Sequence, residues 1–176
     1  NSGNGSVGVP KHWVGYQAAN SGVGFVGLYT GSDPIATYRE YVSNQLSTPL
    51  IIGEAYYVQM YVNRCNKSNY AIEKMGIHFS TTIQTNWSPF GGGIILPFTP
   101  QITSPANTFL TDTVNWTLVS GCLTADSAYK YITIGDFNTP PSAILVGGPD
   151  IRSYYFIDDV AVVHNPITVN LGNDTI

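Results

Sequence analysis

The sequence predicts an all-β protein, an antiparallel β-sandwich, and three observations carry that expectation. Seven or so short runs are rich in aromatic and β-branched residues, and turn-forming residues separate them at frequent intervals. No stretch reads convincingly as a helix: Ile35 to Leu46 is the only candidate, and its β-branched and aromatic content favours strand. Charged residues make up only 10% of the 176, while Tyr, Thr, Ser, Asn and Gly are abundant, the composition of a secreted β module with a hydroxyl- and amide-rich surface.

Residues 1–24 are Gly-, Ser- and Asn-rich and read as an irregular lead-in anchored by Trp13 and Tyr16. Gly24 to Tyr29 is a first strand. In the turn Gly31-Ser32-Asp33-Pro34, Asp accepts local backbone bonds and Pro presets φ. Tyr38 to Leu46 alternates as a strand and stops at Ser47-Thr48-Pro49. Tyr56 to Asn63 is the cleanest strand: Tyr56, Val58, Met60 and Val62 form one face, and Tyr57, Gln59, Tyr61 and Asn63 the other. Met75, Ile77 and Phe79 alternate in the same way, and Asn115–Gly121 and Tyr129–Phe137 supply two more strands. Tyr154 to Val163 closes the set, with Asp158 and Asp159 interrupting its apolar residues. Carboxylates there are costly unless they pair, accept hydrogen bonds or bind a cation. Two readings stand for them: a hard cation as partner, or two acids turned to solvent at a bulge or strand end.

Residues 85–106 break the pattern. They are apolar, punctuated by proline and hinged by glycine, with Trp87, Phe90, Ile95 and Phe98 as the large side chains. Such a segment either folds over one end of the sandwich or contacts a partner. The two cysteines, Cys65 and Cys122, each follow a strand, and an even count in an apparently extracellular chain favours one disulfide over two free thiols. It would close a loop of about 56 residues and contribute about 4 kcal/mol. The net charge of −4 disfavours nucleic acid, and no apolar run is long enough for a bilayer span. His12, His78 and His164 are isolated, so no Cys/His metal site is expected.

Several pieces resemble jelly-roll, carbohydrate-binding-module-like (galactose-binding-like) domains of large secreted surface proteins of gliding, Bacteroidetes-type bacteria. They are Val9-Pro10, Gly15-Tyr16-Gln17, Gly27-Leu28-Tyr29, Tyr38-Arg39-Glu40-Tyr41-Val42, Trp116 to Gly121, Tyr131 to Phe137 and Tyr155-Phe156-Ile157-Asp158-Asp159-Val160, in the expected order from about residue 8 to 163. The resemblance implies a jelly-roll over residues 1–165, with 166–176 as a linker or the start of a following Ig-like repeat. It implies an extracellular or cell-surface location and a structural Ca²⁺ bound by Asp158. The family's second ligand lies in an N-terminal strand that resembles Asn-x-Ser-Phe-Glu, and this sequence has no such segment. That departure suggests that the first strand is missing, cleaved, or supplied by another chain, the last as a head-to-tail homo-assembly. Asp112-Thr113-Val114, Asp126-Ser127-Ala128 and Asp174-Thr175-Ile176 look like the O-glycosylation sites of these bacteria, at Thr113, Ser127 and Thr175. Asn4, Asn66, Asn86, Asn115 and Asn173 open N-glycosylation sequons.

No nucleophile–base motif is visible, and of the only glutamates, Glu40, Glu54 and Glu73, two lie on or beside strands where structural roles suffice, so a non-catalytic protein is expected. The expected activity is recognition of a polysaccharide or glycan through tyrosines, whose rings match the C–H faces of sugars. The candidate patch is Tyr57 and Tyr61 together with Arg39, Tyr41, His78 and Tyr131, provided that these share one side of the sheet. The rival expectation is a structural subunit of a stalk or filament that makes protein contacts.

Overall fold

The computed structural model describes residues 8–31, 38–84, 95–138, 142–150 and 152–164. Among them are twelve strands and no helix: β1 (Lys11–His12), β2 (Gly15–Tyr16), β3 (Val26–Gly31), β4 (Val42–Gln45), β5 (Ala55–Arg64), β6 (Tyr70–Ile72), β7 (Gly76–Ser80), β8 (Ile102–Thr103), β9 (Thr117–Thr124), β10 (Tyr131–Gly135), β11 (Ala143–Leu145) and β12 (Ser153–His164). Two four-stranded sheets, β3-β12-β5-β9 and β4-β10-β7-β8, stack face to face, and small pairs β1-β2 and β11-β6 flank them. The strand pairs are antiparallel, so the molecule is an antiparallel β-sandwich of jelly-roll type. No helix in the described residues is long and apolar enough to cross a membrane.

Alternation builds the core. Along β5 the side chains of Tyr56, Val58, Met60 and Val62 point inward and are buried, meeting Ile77 and Phe79 of β7, Ile132 and Ile134 of β10, and Tyr155 and Ile157 of β12. The outward-facing set on β5 runs Tyr57, Gln59, Tyr61, Asn63, as the period of two requires.

The chain departs from expectation in four places. The strand expected over Tyr38–Leu46 is paired only from Val42 to Gln45, because the residues before it serve other bonds. Arg39 turns to Asp136, and Glu40 accepts the Tyr29 N–H at 2.9 Å. The lead-in is anchored by Val14 and His12, both buried, whereas Trp13 and Tyr16 are 40% and 59% exposed. Trp13 instead carries the Arg152 guanidinium 4.0 Å above its ring. The disulfide does not form, and both cysteines are free. Cys122 lies opposite Tyr57 across β5 and β9, while Cys65 is eight positions further on (57 to 65). That is about 26 Å of strand, far beyond the roughly 7 Å Cα limit of a disulfide. Cys65 is instead buried with Val14 and Phe156 in a second apolar cluster, under the segment that carries β1 and β2, and its thiol faces the Val14 carbonyl.

The fourth departure is local. β12 does bulge at its acid pair: the register to β5 shifts between Asp158 and Ala161, and Asp159 has φ of 46°. The acids do not simply face solvent, however. Asp158 is 9% exposed and accepts the Asn20 N–H at 2.7 Å, the Ser21 N–H at 3.5 Å and its neighbour's N–H at 2.8 Å. Asp159 accepts the Asn20 side-chain amide at 2.7 Å and the Ser21 hydroxyl at 2.5 Å. These bonds hold the Asp159 carboxyl below its ordinary pKa. The turn that satisfies the acids occupies the place where β3 would continue, so β3 pairs with β12 only as far as Ile157.

Candidate functional site

The six residues of the expected binding patch do not meet. Tyr57 and Tyr61 point outward from the β3-β12-β5-β9 sheet. His78 and Tyr131 point outward from the other sheet, where Thr133 pairs across from His78 and Gln45 from Tyr131. Tyr41 packs over Gly135 on that same second face, where a Cβ would collide with its ring. The sandwich therefore separates the patch into two surfaces on opposite sides.

On the second face, the chain's own bonds consume most of the expected side chains. Arg39 and Asp136 form a buried ion pair at 2.6 Å, each side chain 1% exposed, and Arg39 also donates to the Asp136 carbonyl at 2.8 Å. Burial outweighs the Arg39 charge and pushes the Asp136 carboxyl up to about 6. The Tyr41 hydroxyl donates to the Asp136 carbonyl at 2.9 Å and accepts the Leu96 N–H at 3.1 Å; burial raises its pKa. Phe98 lies flat on the His78 ring, with centroids 4.7 Å apart and planes 6° apart, and joins Leu96, Phe137 and Tyr41 in one cluster. Burial lowers the His78 pKa. The described part of the 85–106 segment thus folds over its own sheet: Leu96 is buried, and Ile95 and Phe98 are half-buried. Trp87 and Phe90 lie outside the described residues.

The first face divides into two halves. Over one half lies the segment leading to β3, with Phe25, Trp116 and Tyr154 packed around Phe156. Among the described residues nothing covers the other half. There Tyr57, Gln59 and Tyr61 stand in a row, all half-exposed. Register places Cys122, Ser120 and Leu118 beside them on β9, and Val163, Ala161 and Asp158 on β12. Leu118 is 43% and Val163 53% exposed. Among the described residues neither phenol nor the Gln59 amide has a hydrogen-bond partner. Chemically this is a flat strip of aromatic and aliphatic area, with hydroxyl and amide groups left free along its centre line. Leu118, Ser120 and Val163 were not in the expected patch. Only cross-strand register brings them there, and register is a long-range property.

The acid pair does not supply a calcium cage as it stands. Ca²⁺ takes six to eight oxygen ligands, yet both Asp158 oxygens already accept N–H groups, which point the wrong end of a dipole at any cation. Among the described residues no group of three His, Cys, Asp or Glu side chains clusters to hold a metal. The three glutamates each have a local partner: Glu40 the Tyr29 N–H, Glu54 the His164 ring, Glu73 the Asn107 N–H. Thr113 and Ser127 lie in surface bends, the first in a turn that Asp112 closes by accepting the Val114 and Asn115 N–H groups at 2.8 Å. Thr175 lies outside the described residues.

No family model and no curated protein sequence matches the chain. Two solved structures are similar to it. One, described as "CBM4 structure and function", is 14% identical over 81% of this chain and 72% of the other, with a TM-score of 0.44. The second is the Clostridium thermocellum endo-1,4-β-D-xylanase 10B CBM22-1–GH10 pair of modules complexed with xylohexaose. It is 12% identical over 84% of this chain, which spans only 26% of that chain's length, with a TM-score of 0.39. Both likenesses are loose, and the fold rests on the strand order itself.

Proposed function

We propose that this chain is a non-catalytic carbohydrate-binding module, acting in adhesion at a cell surface or in the extracellular space, and that Tyr57, Gln59 and Tyr61 form its binding strip. The observation that carries the reading is the row of two tyrosines and a glutamine, half-exposed and, among the described residues, neither hydrogen-bonded nor covered, on one half of one sheet. Aromatic rings supply shape and area to a sugar's C–H face, and the free amide and phenols take its hydroxyls. A flat strip suits an extended polysaccharide better than a small buried ligand, since the described residues form no enclosed cleft over it. Affinity electrophoresis in gels cast with soluble polysaccharides tests the reading. Retardation should fall by about tenfold in affinity or more when either tyrosine becomes Ala. Equal retardation of the wild type and the Tyr57→Ala/Tyr61→Ala variant would overturn it.

A second reading, a structural subunit making protein contacts, is favoured by a different feature: the open groove between β4 and β12.

A further inference from the structure

The sandwich is open along one side. β4 is the outer strand of its sheet. In the opposite sheet β12 has β5 on one flank throughout, but β3 covers its other flank only over Ser153–Ile157. From Val160 to His164 that flank carries no strand among the described residues. Between the two edges lies a groove of about 600 Å³, walled by the apolar side chains of Val42, Leu46, Ile132 and Ile134 from one sheet and Val160 and Val162 from the other, with Asn44, Gln45, Ser47 and Thr48 along the β4 side. A sheet edge with unsatisfied N–H and C=O groups above exposed core is the geometry that recruits another strand.

The lining identifies the kind of occupant. Its two aromatic rings are engaged, Tyr56 accepting the Ile51 N–H at 2.9 Å and His164 lying 3.1 Å from Glu54, and its polar side chains Asn44, Gln45, Ser47 and Thr48 all belong to β4 and the residues just after it. Alternate residues of β12, Val160, Val162 and His164, face the groove. A strand laid beside them would place its own alternate side chains in the same space. The occupant is therefore a five-residue segment with apolar residues at every second position. Within this sequence outside the described residues, Ile167-Thr168-Val169-Asn170-Leu171 has that pattern. Asn1 to Val7 does not, Ser32 to Thr37 does not, and Thr85 to Ile94 is interrupted by proline and three glycines.

The segment comes from another molecule because the link to β12 opposes a direct return. Only Asn165 and Pro166 separate His164 from Ile167. The two-residue hairpin turns that suit twisted strands need positive φ at one or both positions, I′ at both and II′ at the first. Proline, fixed near −65°, cannot supply the second position of I′ and restricts the first residue of II′ as well. A four-residue loop would consume Ile167 and Thr168, leaving two apolar residues for a groove that takes three. We propose that the β4–β12 groove is completed by residues 167–171 of a second copy, which adds a strand to the free flank of β12. Donation of this kind closes on a pair where two copies exchange tails and continues from copy to copy where they do not.

Light scattering after size-exclusion chromatography of the full 176-residue chain, across a wide range of concentrations, tests this. The mean mass should climb with concentration to that of a dimer or beyond. Val169→Asp with Leu171→Asp should weaken association by about tenfold or more while the circular-dichroism spectrum and unfolding midpoint of the monomer stay those of the wild type. A strictly monomeric wild type would overturn the proposal, as would association untouched by the two aspartates. Disulfide trapping gives an independent readout: in a Cys122→Ser background, a copy carrying Val160→Cys is mixed with a copy carrying Val169→Cys. A covalent dimer joining the two different copies is expected. If one copy carrying both substitutions cross-links internally and stays monomeric, the tail returns to its own groove and donation between copies is wrong.

Discussion

Asp158 and Asp159 show how a single pair of side chains sets the limits of an element. Asp158 collects the backbone N–H groups of Asn20 and Ser21, Asp159 collects their side-chain amide and hydroxyl, and this turn ends the pairing of β3 with β12. Replacing Asp158 by Asn turns one acceptor into a donor that faces those N–H groups. Loss of about 1–3 kcal/mol is expected, measured by urea unfolding. The same N–H saturation predicts that calcium or EDTA shifts the melting temperature little, and a rise of several degrees on adding calcium would name the cation as partner instead. The buried Arg39–Asp136 pair makes a prediction about pH. Burial raises the folded-state Asp136 pKa to about 6, above the ordinary 3.8. Folded protein then binds more protons than unfolded protein between these values, so this group's contribution is complete below about pH 4 and is lost as pH rises through 6. A ¹³C carboxyl titration should place its midpoint near 6; a midpoint below 4 would contradict this.

At the scale of the element, the segment after residue 94 works as a cover for the β4-β10-β7-β8 sheet. Phe98 shields His78, and burial lowers the histidine's pKa. For a base with a depressed folded-state pKa, stability is present above the unfolded value and is lost as pH falls. Phe98→Ala should therefore let the His78 pKa climb back toward 6.5, followed by ring-proton shifts in NMR; an unchanged value would show that the cover lies elsewhere. This element also marks how much was legible. The β5 faces were readable because a period of two leaves no freedom once one face is apolar. The cover was readable only as one of two alternatives, since proline and glycine state that a segment is irregular but not where it lands. Arg39 and Tyr41 were misjudged for a related reason: a polar residue next to a strand looks the same whether it meets a ligand or a buried carboxylate ninety-seven positions away, as Arg39 and Asp136 do.

Across the whole molecule, the sandwich divides its polar aromatic residues between two outer surfaces, and among the described residues nothing covers the half of one surface that carries Tyr57 and Tyr61. The disulfide failed on the same scale. Cys65 and Cys122 each follow a strand, yet antiparallel register sends them to distant points along the shared β5–β9 ladder. Native thiol titration should modify Cys122 at once and Cys65 only on unfolding, because Cys65 is buried and burial raises its pKa; protection of both would contradict the free-thiol assignment. The outward placement of Tyr57 and Tyr61 was legible in the sequence because it depends only on local alternation, whereas the residues beside them depend on which strands pair. The measurement that tests the central claim most directly is a glycan array probed with the wild type, the Tyr57→Ala/Tyr61→Ala variant and Tyr131→Ala from the opposite face. The account predicts binding to at least one class of polysaccharide, loss of about tenfold or more in the double variant, and retention in Tyr131→Ala. Binding lost through Tyr131 and kept without Tyr57 and Tyr61, or no glycan bound at all, would contradict it.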